Sequence, residues 1–304
     1  MADETVRVVR LKNNPMIRPD LLPDHDGNNI NGPSLIRVPE WVRHRLGRYY
    51  LYFAHHEGQY IRLAYADDLA GPWMIHRPGA LHLKQAPMCR GHIASPDVVI
   101  DEERREFRMY FHGPSAGRRG QESFVALSGN GLDFEAQPES LGFCYFRVFR
   151  WRNAWYAMAK GGELYRSADG LRDFEKGHNP WSGGSSRGAM ADAPGPRHVG
   201  LHPMGSRLWV YYTNIGDAPE RVMRCSVDLE GDWTRWKAGP PQEVLRPEHE
   251  WEGAALPVKR SQPGMAKEPE NALRDPDIFV EDDHRVYLLY SVAGEQGIAI
   301  AEIK

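Results

Sequence analysis

Short segments in which apolar and polar residues alternate recur along the chain, and such a period of two is typical of half-buried β-strands. Four of these segments share one layout, in which a strand is followed by a small residue, an Asp or Asn, and a closing aromatic residue. They span residues 60–73, 123–134, 163–174 and 221–233. A fifth strand of this kind covers 297–303. Because Asp and Asn side chains satisfy turn backbone and the aromatic ring anchors the next strand, each copy predicts the same strand-and-turn unit.

Each copy is preceded by a predicted β-hairpin. The second strands of these hairpins span 48–54, 106–112, 154–159, 207–213 and 285–291. Five copies in 304 residues leave about 60 residues for each, enough for four short strands and their loops. No helical pattern of any length competes with the strands. A large β-sandwich is the alternative, but it does not explain five equivalent hairpins. The pattern therefore predicts an all-β fold, a five-bladed β-propeller with four-stranded blades, as a single domain over residues 1–304.

The N-terminal segment 5–11 (TVRVVRL) has the alternation of a strand but no hairpin partner nearby. The last predicted blade lacks its outer strand. We therefore expect segment 5–11 to supply that strand, so that the N-terminal strand pairs with the last blade and closes the ring.

Composition excludes several classes of function. Lys and Arg number 38 against 41 Asp and Glu, a net charge of −3, so no basic excess points to nucleic acid or an anionic membrane. No apolar run approaches the roughly 18 residues of a membrane span. The three cysteines (89, 144 and 225) have no CxxC spacing, which argues against a zinc site or a disulfide framework. Residues 1–10 lack the basic and apolar regions of a signal peptide. We expect a cytoplasmic protein without a metal or cofactor.

The propeller arrangement brings polar residues to one end of its axis. The first strand of every blade lines the axis, and the antiparallel second strand returns to the face where the first begins. Candidate residues at these starts and ends, and in the loops beside them, are Asn31, His55, His92, Asp97, His112, Arg147, Arg197, His198, Asp275 and Asp277. Structural packing alone favours small or apolar residues on a narrow axis. The aspartates could instead serve turns and strand edges, and Arg197 and His198 could form a structural pair.

Two motifs carry a resemblance to a known family. Ser95-Pro96-Asp97 before one hairpin and Arg274-Asp275-Pro276 before another resemble those of the five-bladed propeller glycosidases of family 43 type, whose wider group includes families 32, 62, 68, 117 and 130. In family 43 a blade-one Asp-Pro supplies the general base, a later Pro-Asp tunes the acid, and a Glu-Gly supplies the acid.

The resemblance implies a role for each matching residue. Asp97 matches the tuning aspartate, and Glu252, in Trp251-Glu252-Gly253, matches the acid. Blade one carries Gly32 where the base is expected, while Asp275 supplies the missing Asp-Pro from a different blade. The implied catalytic set is therefore Asp97, Glu252 and Asp275, and we expect Glu252 to point into the pocket within about 10 Å of both aspartates.

The sequence therefore predicts a glycoside hydrolase that acts on a small oligosaccharide or glycoside in an axial pocket. Arg147, Arg197 and Arg274 near the axis suggest that the substrate carries an anionic group, such as a uronate or phosphate. A glycoside phosphorylase of family 130 type and a non-catalytic carbohydrate-binding propeller stay as alternatives. We further expect Asp97, Arg147, His198 and Asp277 to open equivalent first strands around one pocket.

Overall fold

The computed structural model of the chain describes residues 6–181 and 195–304. Within them the secondary structure consists of strands and six 3-10 helices, and no helix is long and apolar enough to cross a membrane. The 3-10 helices span Pro19–Leu21, Asp24–Asn28, Leu83–Gln85, Lys160–Gly162, Trp233–Arg235 and Glu250–Glu252. The predicted all-β class is confirmed.

The strands form five antiparallel sheets, one for each predicted blade. The chain begins with strand β1 (Val8–Arg10). Blade one contains β2 (Asn31–Arg37), β3 (Tyr49–Ala54), β4 (Tyr60–Ala66) and β5 (Met74–His82). Blade two contains β6 (Ala94–Asp101), β7 (Glu106–Pro114) and β8 (Gln121–Ser128), with β9 (Glu135–Ala136) and β10 (Gly142–Phe143) both paired to β8.

The remaining three blades repeat this order. Blade three contains β11 (Arg147–Trp151), β12 (Ala154–Met158), β13 (Leu164–Ser167) and β14 (Glu175–Lys176). Blade four contains β15 (Pro196–Met204), β16 (Arg207–Asn214), β17 (Val222–Asp228) and β18 (Gln242–Leu245). Blade five contains β19 (Arg274–Val280), β20 (Val286–Ser291) and β21 (Ile298–Ile303). The first strands of successive blades contact each other around one axis, so the predicted five-bladed propeller is confirmed.

Strand β1 completes blade five. It pairs antiparallel with β21, with Val8 opposite Ile303 and Arg10 opposite Ala301. This confirms that the N-terminal strand closes the ring, over a shorter stretch than the predicted segment 5–11, of which Thr5 lies outside the described residues.

Each interface between neighbouring blades has its own apolar cluster, because side chains on a strand point alternately to the two faces of its sheet. On β3, Tyr50 and Tyr52 pack against blade two, whereas Leu51 and Phe53 pack against blade five. All four side chains are fully buried. The second strands therefore read as continuous apolar runs, and burial of both faces holds the blades together.

The repeated turns also tie the blades together. Tyr52 donates a hydrogen bond of 2.7 Å to the carbonyl of Gly131 in the turn of blade two, and Tyr110 donates one of 2.8 Å to Gly170 in the turn of blade three. Both glycines have positive φ, and their N–H groups donate to the Ser that begins each turn. The turn chemistry of the repeat is thus also a contact between blades.

Candidate functional site

The first strands begin with a shared irregularity at one end of the axis, which we call the axial face. In blades one, two, four and five the strand pairing slips by a β-bulge after the first residue. The bulges place Gly32, Ser95 and Asp275 at positive φ, between 47° and 59°, and Tyr145 of blade three has a φ of 69°. Only glycine adopts this region without cost, and bulges commonly re-aim side chains beside binding sites.

Gly32 has a second reason to lack a side chain. A Cβ atom at this position would lie 3.0 Å from the Cα atom of Ser95 in the next blade. The backbone of Ser95 thus leaves no room for a side chain at the position where the family pattern expects an aspartate base. Its N–H group instead donates to Asp275 at 3.4 Å.

Asp275 contacts His198 of blade four. The contact joins the Asp275 Oδ1 and His198 Nδ1 atoms, and Asp275 is 2% exposed. Ser291 donates to its other carboxylate oxygen at 3.1 Å. Burial opposes the ionised carboxylate, but His198, Arg274 and Arg197 together lower the pKa of Asp275 well below its usual range. Burial also lowers the pKa of His198, so its ring is neutral near pH 7.

A row of aromatic rings extends from this pair across the axial face. The ring of Tyr145 lies 4.2 Å from that of His198 and 4.1 Å from that of His112, which has His92 as its next neighbour at 6.5 Å. Burial lowers the pKa of both His112 and His92. Among the described residues, the Nε2 atoms of His92 and His198 have no hydrogen-bond partner. The row therefore carries neutral imidazoles with unused ring nitrogens.

A small cavity lies beside His198. Its volume is about 10 Å³, and Gly32, Ser95, Tyr145 and Asp275 also line it. This is the space that one water molecule needs, and polar atoms surround it.

A second group of charges flanks the axial face. Glu220 is fully buried and accepts from Arg197 at 2.7 and 3.1 Å, while its Oε2 lies 3.2 Å from Arg274. Glu295 binds Arg274 at 3.0 Å and accepts from Asn31 at 3.1 Å. Hydrogen bonding to His56 and the charge of Arg274 lower the pKa of Glu295 to about 2 despite its burial. Arg197 and Arg274 are thus neutralised by carboxylates.

Sequence reasoning missed Glu220 and Glu295. Both lie in connections that follow the second strands of their blades, at the end of the strand that returns to the axial face. Glu220 comes six residues after Asn214 and Glu295 four residues after Ser291. The same rule that selected the strand ends would have found them if it had been extended into the loops.

Asp97, Arg147 and Asp277 lie one layer deeper along the axis. Arg147 Nη1 is 3.3 Å from Asp97 and 3.9 Å from Asp277. Asp97 accepts from the N–H of Val148 and Asp277 from the N–H of Leu35, so each aspartate bonds the next blade. Burial, and then the charge of Asp97, raise the pKa of Asp277 to about 7 against the attraction of Arg147.

The pairing register corrects one predicted equivalence. After the bulge, Asp97 pairs with Tyr110 and Asp277 with Leu289, but in blade four the residue in this position is Val199, paired with Tyr212. His198 is one residue earlier and so points to a different layer. It belongs with Asp275, while Asp97, Arg147 and Asp277 line a separate cavity together.

Glu252 does not lie in the axial pocket, contrary to the prediction. It is fully buried, accepts from Arg10 at 2.7 and 3.0 Å, and accepts from the hydroxyl of Tyr290 at 2.9 Å. Tyr290 and Ser291 are neighbours on β20, so they point to opposite faces of the sheet. Because Ser291 binds Asp275 and Tyr290 binds Glu252, the two carboxylates lie on opposite faces of blade five, and the predicted acid role loses its geometric basis.

His55 also lies apart from the row of imidazoles. Its Nδ1 accepts from the N–H of Glu57 in its own turn at 3.0 Å. The neighbouring His56 faces the site instead, with its Nδ1 3.5 Å from Glu295. Within the described ranges no group of three or more His, Cys, Asp or Glu side chains has the arrangement of a metal site.

Comparison with known structures supports the same architecture. The GH43_1 enzyme from Xanthomonas citri superposes with a TM-score of 0.61 at 14% identity, over 93% of this chain and 89% of that chain. CoXyl43, a GH43 β-xylosidase/α-arabinofuranosidase from a compost metagenome, gives 0.62 at 13% identity, over 95% and 93%. An endo-arabinase from Bacteroides thetaiotaomicron gives 0.62 at 12% identity, over 90% and 93%. The fold is thus that of the GH43 propellers, at low sequence identity.

Sequence comparison identifies a nearer relative. No family model matches the chain. The uncharacterized protein R118 of Acanthamoeba polyphaga mimivirus is 38% identical over 322 aligned positions, which cover 97% of this chain and 90% of the relative. With a GH43-like propeller fold and this degree of identity along nearly its whole length, the chain belongs to the family of mimivirus protein R118.

Proposed function

We propose that this protein is a glycoside hydrolase that acts on a short, neutral oligosaccharide at the axial face. The pair formed by Asp275 and His198 is the group that exchanges a proton with the substrate. The proposal takes its substrate class from the structural neighbours, among them a Xanthomonas citri GH43_1 enzyme complexed with xylotriose and enzymes named as xylosidases and arabinases.

The observation that carries the proposal is the geometry of His198. Its Nδ1 contacts an ionised, buried carboxylate, its ring is neutral, and its Nε2 is unpaired beside a cavity the size of one water molecule. An imidazole oriented in this way is a general base. In hydrolysis the water oxygen bonds to the anomeric carbon as the glycosidic bond breaks, the water proton passes to Nε2, and Nε2 then returns a proton through solvent to the departing oxygen.

The charges near the site favour a neutral substrate. Arg197 is bonded to Glu220, and Arg274 contacts Glu220, Glu270 and Glu295. Arg147 lies in the deeper layer with Asp97 and Asp277. Because each guanidinium already faces carboxylates, a uronate or phosphate would compete with buried ion pairs. The same pairing weighs against a phosphorylase that would hold phosphate through these three arginines.

A non-catalytic carbohydrate-binding propeller is the second candidate. Two observations favour this candidate: Glu252 lies on the other face of blade five, and Gly32 has no space for a side chain. In the family pattern both positions would carry catalytic carboxylates. Such a protein would bind sugars through the row of His and Tyr rings without hydrolysing them. For either function we propose a cytoplasmic location, which the free state of Cys89, Cys144 and Cys225 supports.

Hydrolysis of 4-nitrophenyl pentosides and hexosides, xylotriose and arabinan fragments, without phosphate, tests the proposal. We expect turnover by the wild type and a loss of about 100-fold or more in kcat for His198→Gln and Asp275→Asn. His202→Gln is the matched control, because this histidine lies further along the same strand and lines the separate cavity formed by Asp97, Arg147 and Asp277. It should keep wild-type activity.

Binding measured by calorimetry on the same sugars separates the two candidates. Sugar binding without turnover in the wild type would establish the binding propeller and reject the hydrolase. Equal activity of the His198→Gln variant and the wild type would reject the assigned base.

A further inference from the structure

A cavity of about 640 Å³ occupies the axis beyond Arg147, on the side away from the axial face. We call it the far cavity. It is lined by residues towards the ends of the first strands, including Leu35, Val99, Leu201, Met204, Ile278 and Val280. Its volume falls within the range of about 300–1,000 Å³ that is typical of small-molecule sites.

The inner end of the far cavity holds two carboxyl groups and one guanidinium. Asp97, Arg147 and Asp277 are 7%, 5% and 6% exposed. Arg147 donates to Asp97 and to the carbonyls of Pro96 and Pro33, and its nearest approach to Asp277, 3.9 Å, is longer than a hydrogen bond. When Asp277 is ionised, its negative charge is therefore only partly compensated by Arg147. This imbalance agrees with the raised pKa of Asp277.

Most side chains on the walls and at the mouth of the far cavity are apolar, and Ser34, His202 and His284 are the polar ones outside its charged end. Leu35, Val98, Val148 and Ile278 flank the charged end. At the mouth, Met204 and Val280 are 54% and 43% exposed, which is unusual for large apolar side chains in this molecule. Apolar walls that lead to an acidic end fit a ligand with an apolar body and a cationic head.

We propose that the far cavity is a second binding site, and that its ligand is a small aliphatic ammonium compound whose amine contacts Asp277. The ammonium group pairs with Asp277, which Arg147 does not reach with a hydrogen bond. The aliphatic chain lies between the Val, Leu and Ile side chains of the walls. A carboxylate ligand would meet two aspartates, and a neutral alcohol would leave the charge imbalance unchanged. This site is separate from Asp275 and His198, and the proposal does not depend on the hydrolase assignment.

Calorimetric binding of n-hexylamine, 1-hexanol and hexanoate to the full chain tests this proposal, since the three probes share one chain length and differ in the head group. We expect hexylamine to bind about tenfold tighter than hexanol, and hexanoate to bind most weakly. Asp277→Asn should reduce hexylamine affinity about tenfold and leave hexanol affinity unchanged. Circular dichroism confirms that each variant is folded.

A second variant keeps the test decisive if Asp277→Asn does not fold. Val280→Trp fills the mouth from an exposed position, so it should abolish binding of both hexylamine and hexanol. Val258→Trp is its matched control, because Val258 is 59% exposed and lies outside the residues that line the cavity. Absence of hexylamine binding, equal affinity for hexylamine and hexanol, or hexylamine binding unchanged by Val280→Trp would overturn the proposal.

Discussion

The guanidinium of Arg10 holds the carboxylate of Glu252 through two hydrogen bonds, of 2.7 and 3.0 Å, across a sequence separation of 242 residues. Arg10 is the last residue of β1, which completes blade five, and Glu252 lies in the connection between blades four and five. The N–H groups of Glu248 and His249 also donate to Glu252. This carboxylate therefore fastens the closing strand to the propeller, which is a structural role.

Glu252→Gln should destabilise the protein by about 3–5 kcal/mol, because it removes one partner of a buried ion pair. Chemical denaturation measures the loss. Glu248→Gln is the matched control: Glu248 also contacts Arg10, at 2.8 Å, but its side chain is 59% exposed, and exposed pairs contribute about 0–1 kcal/mol. Equal effects of the two substitutions would contradict the closing role of Glu252.

Gly32→Ala should cost more than the same substitution at Gly205. The two glycines have similar backbone angles, with φ of +59° and +56°. A Cβ on Gly32 would lie 3.0 Å from the Cα of Ser95, whereas one on Gly205 would meet nothing within 4 Å. Both variants bear the cost of a left-handed alanine, about 1–2 kcal/mol. The difference in free energy of unfolding between the two variants therefore measures the clash with Ser95. Equal free energies would show that blades one and two can move apart at little cost.

The stability of the wild type should fall between about pH 4 and pH 7 because of Asp277. Its pKa rises from 3.8 to about 7 on folding, so the folded state retains a proton that the unfolded state has released. The resulting stabilisation is complete below the unfolded pKa and is lost as pH rises through about 7, a total change of about 4 kcal/mol.

Unfolding followed across this pH range for the wild type and Asp277→Asn tests that expectation. The variant should lack this part of the pH dependence. Asp283→Asn serves as the control, because hydrogen bonds from Arg285 lower the pKa of Asp283 and keep it ionised throughout the range. A wild type and an Asp277→Asn variant with parallel pH profiles would refute the raised pKa.

Tyr52→Phe and Tyr110→Phe should each destabilise the propeller by about 1–3 kcal/mol, since each leaves a buried glycine carbonyl of the neighbouring blade without its donor. Tyr65→Phe in β4 is the matched control, as its hydroxyl makes no hydrogen bond within the described part of the chain. It should change stability by no more than about 0.5 kcal/mol. Thermal unfolding of the three variants measures these effects. Unchanged stability of Tyr52→Phe and Tyr110→Phe would show that these hydrogen bonds to the turns do not hold the blades together.

The architecture could be predicted from the sequence because the signals that specify it are local. Alternating residues in strands such as Tyr60–Ala66, the Ser, Asn and Gly of the repeated turns, and the unpaired N-terminal strand were enough to predict five blades and their closure. Strand direction alone also placed Asp275, His198 and His112 near one end of the axis.

The partners of the charged residues could not be predicted in this way, because they come from distant parts of the chain. Val199, and not His198, pairs with Tyr212 as Asp97 pairs with Tyr110, and strand periodicity does not reveal where the bulge that these first strands share falls. Arg10 and Glu252 are neighbours through ring closure, while Glu220 and Glu295 reach Arg197 and Arg274 from loops. The energy of a buried carboxylate depends on the cation beside it, and that cation is supplied by a distant part of the chain.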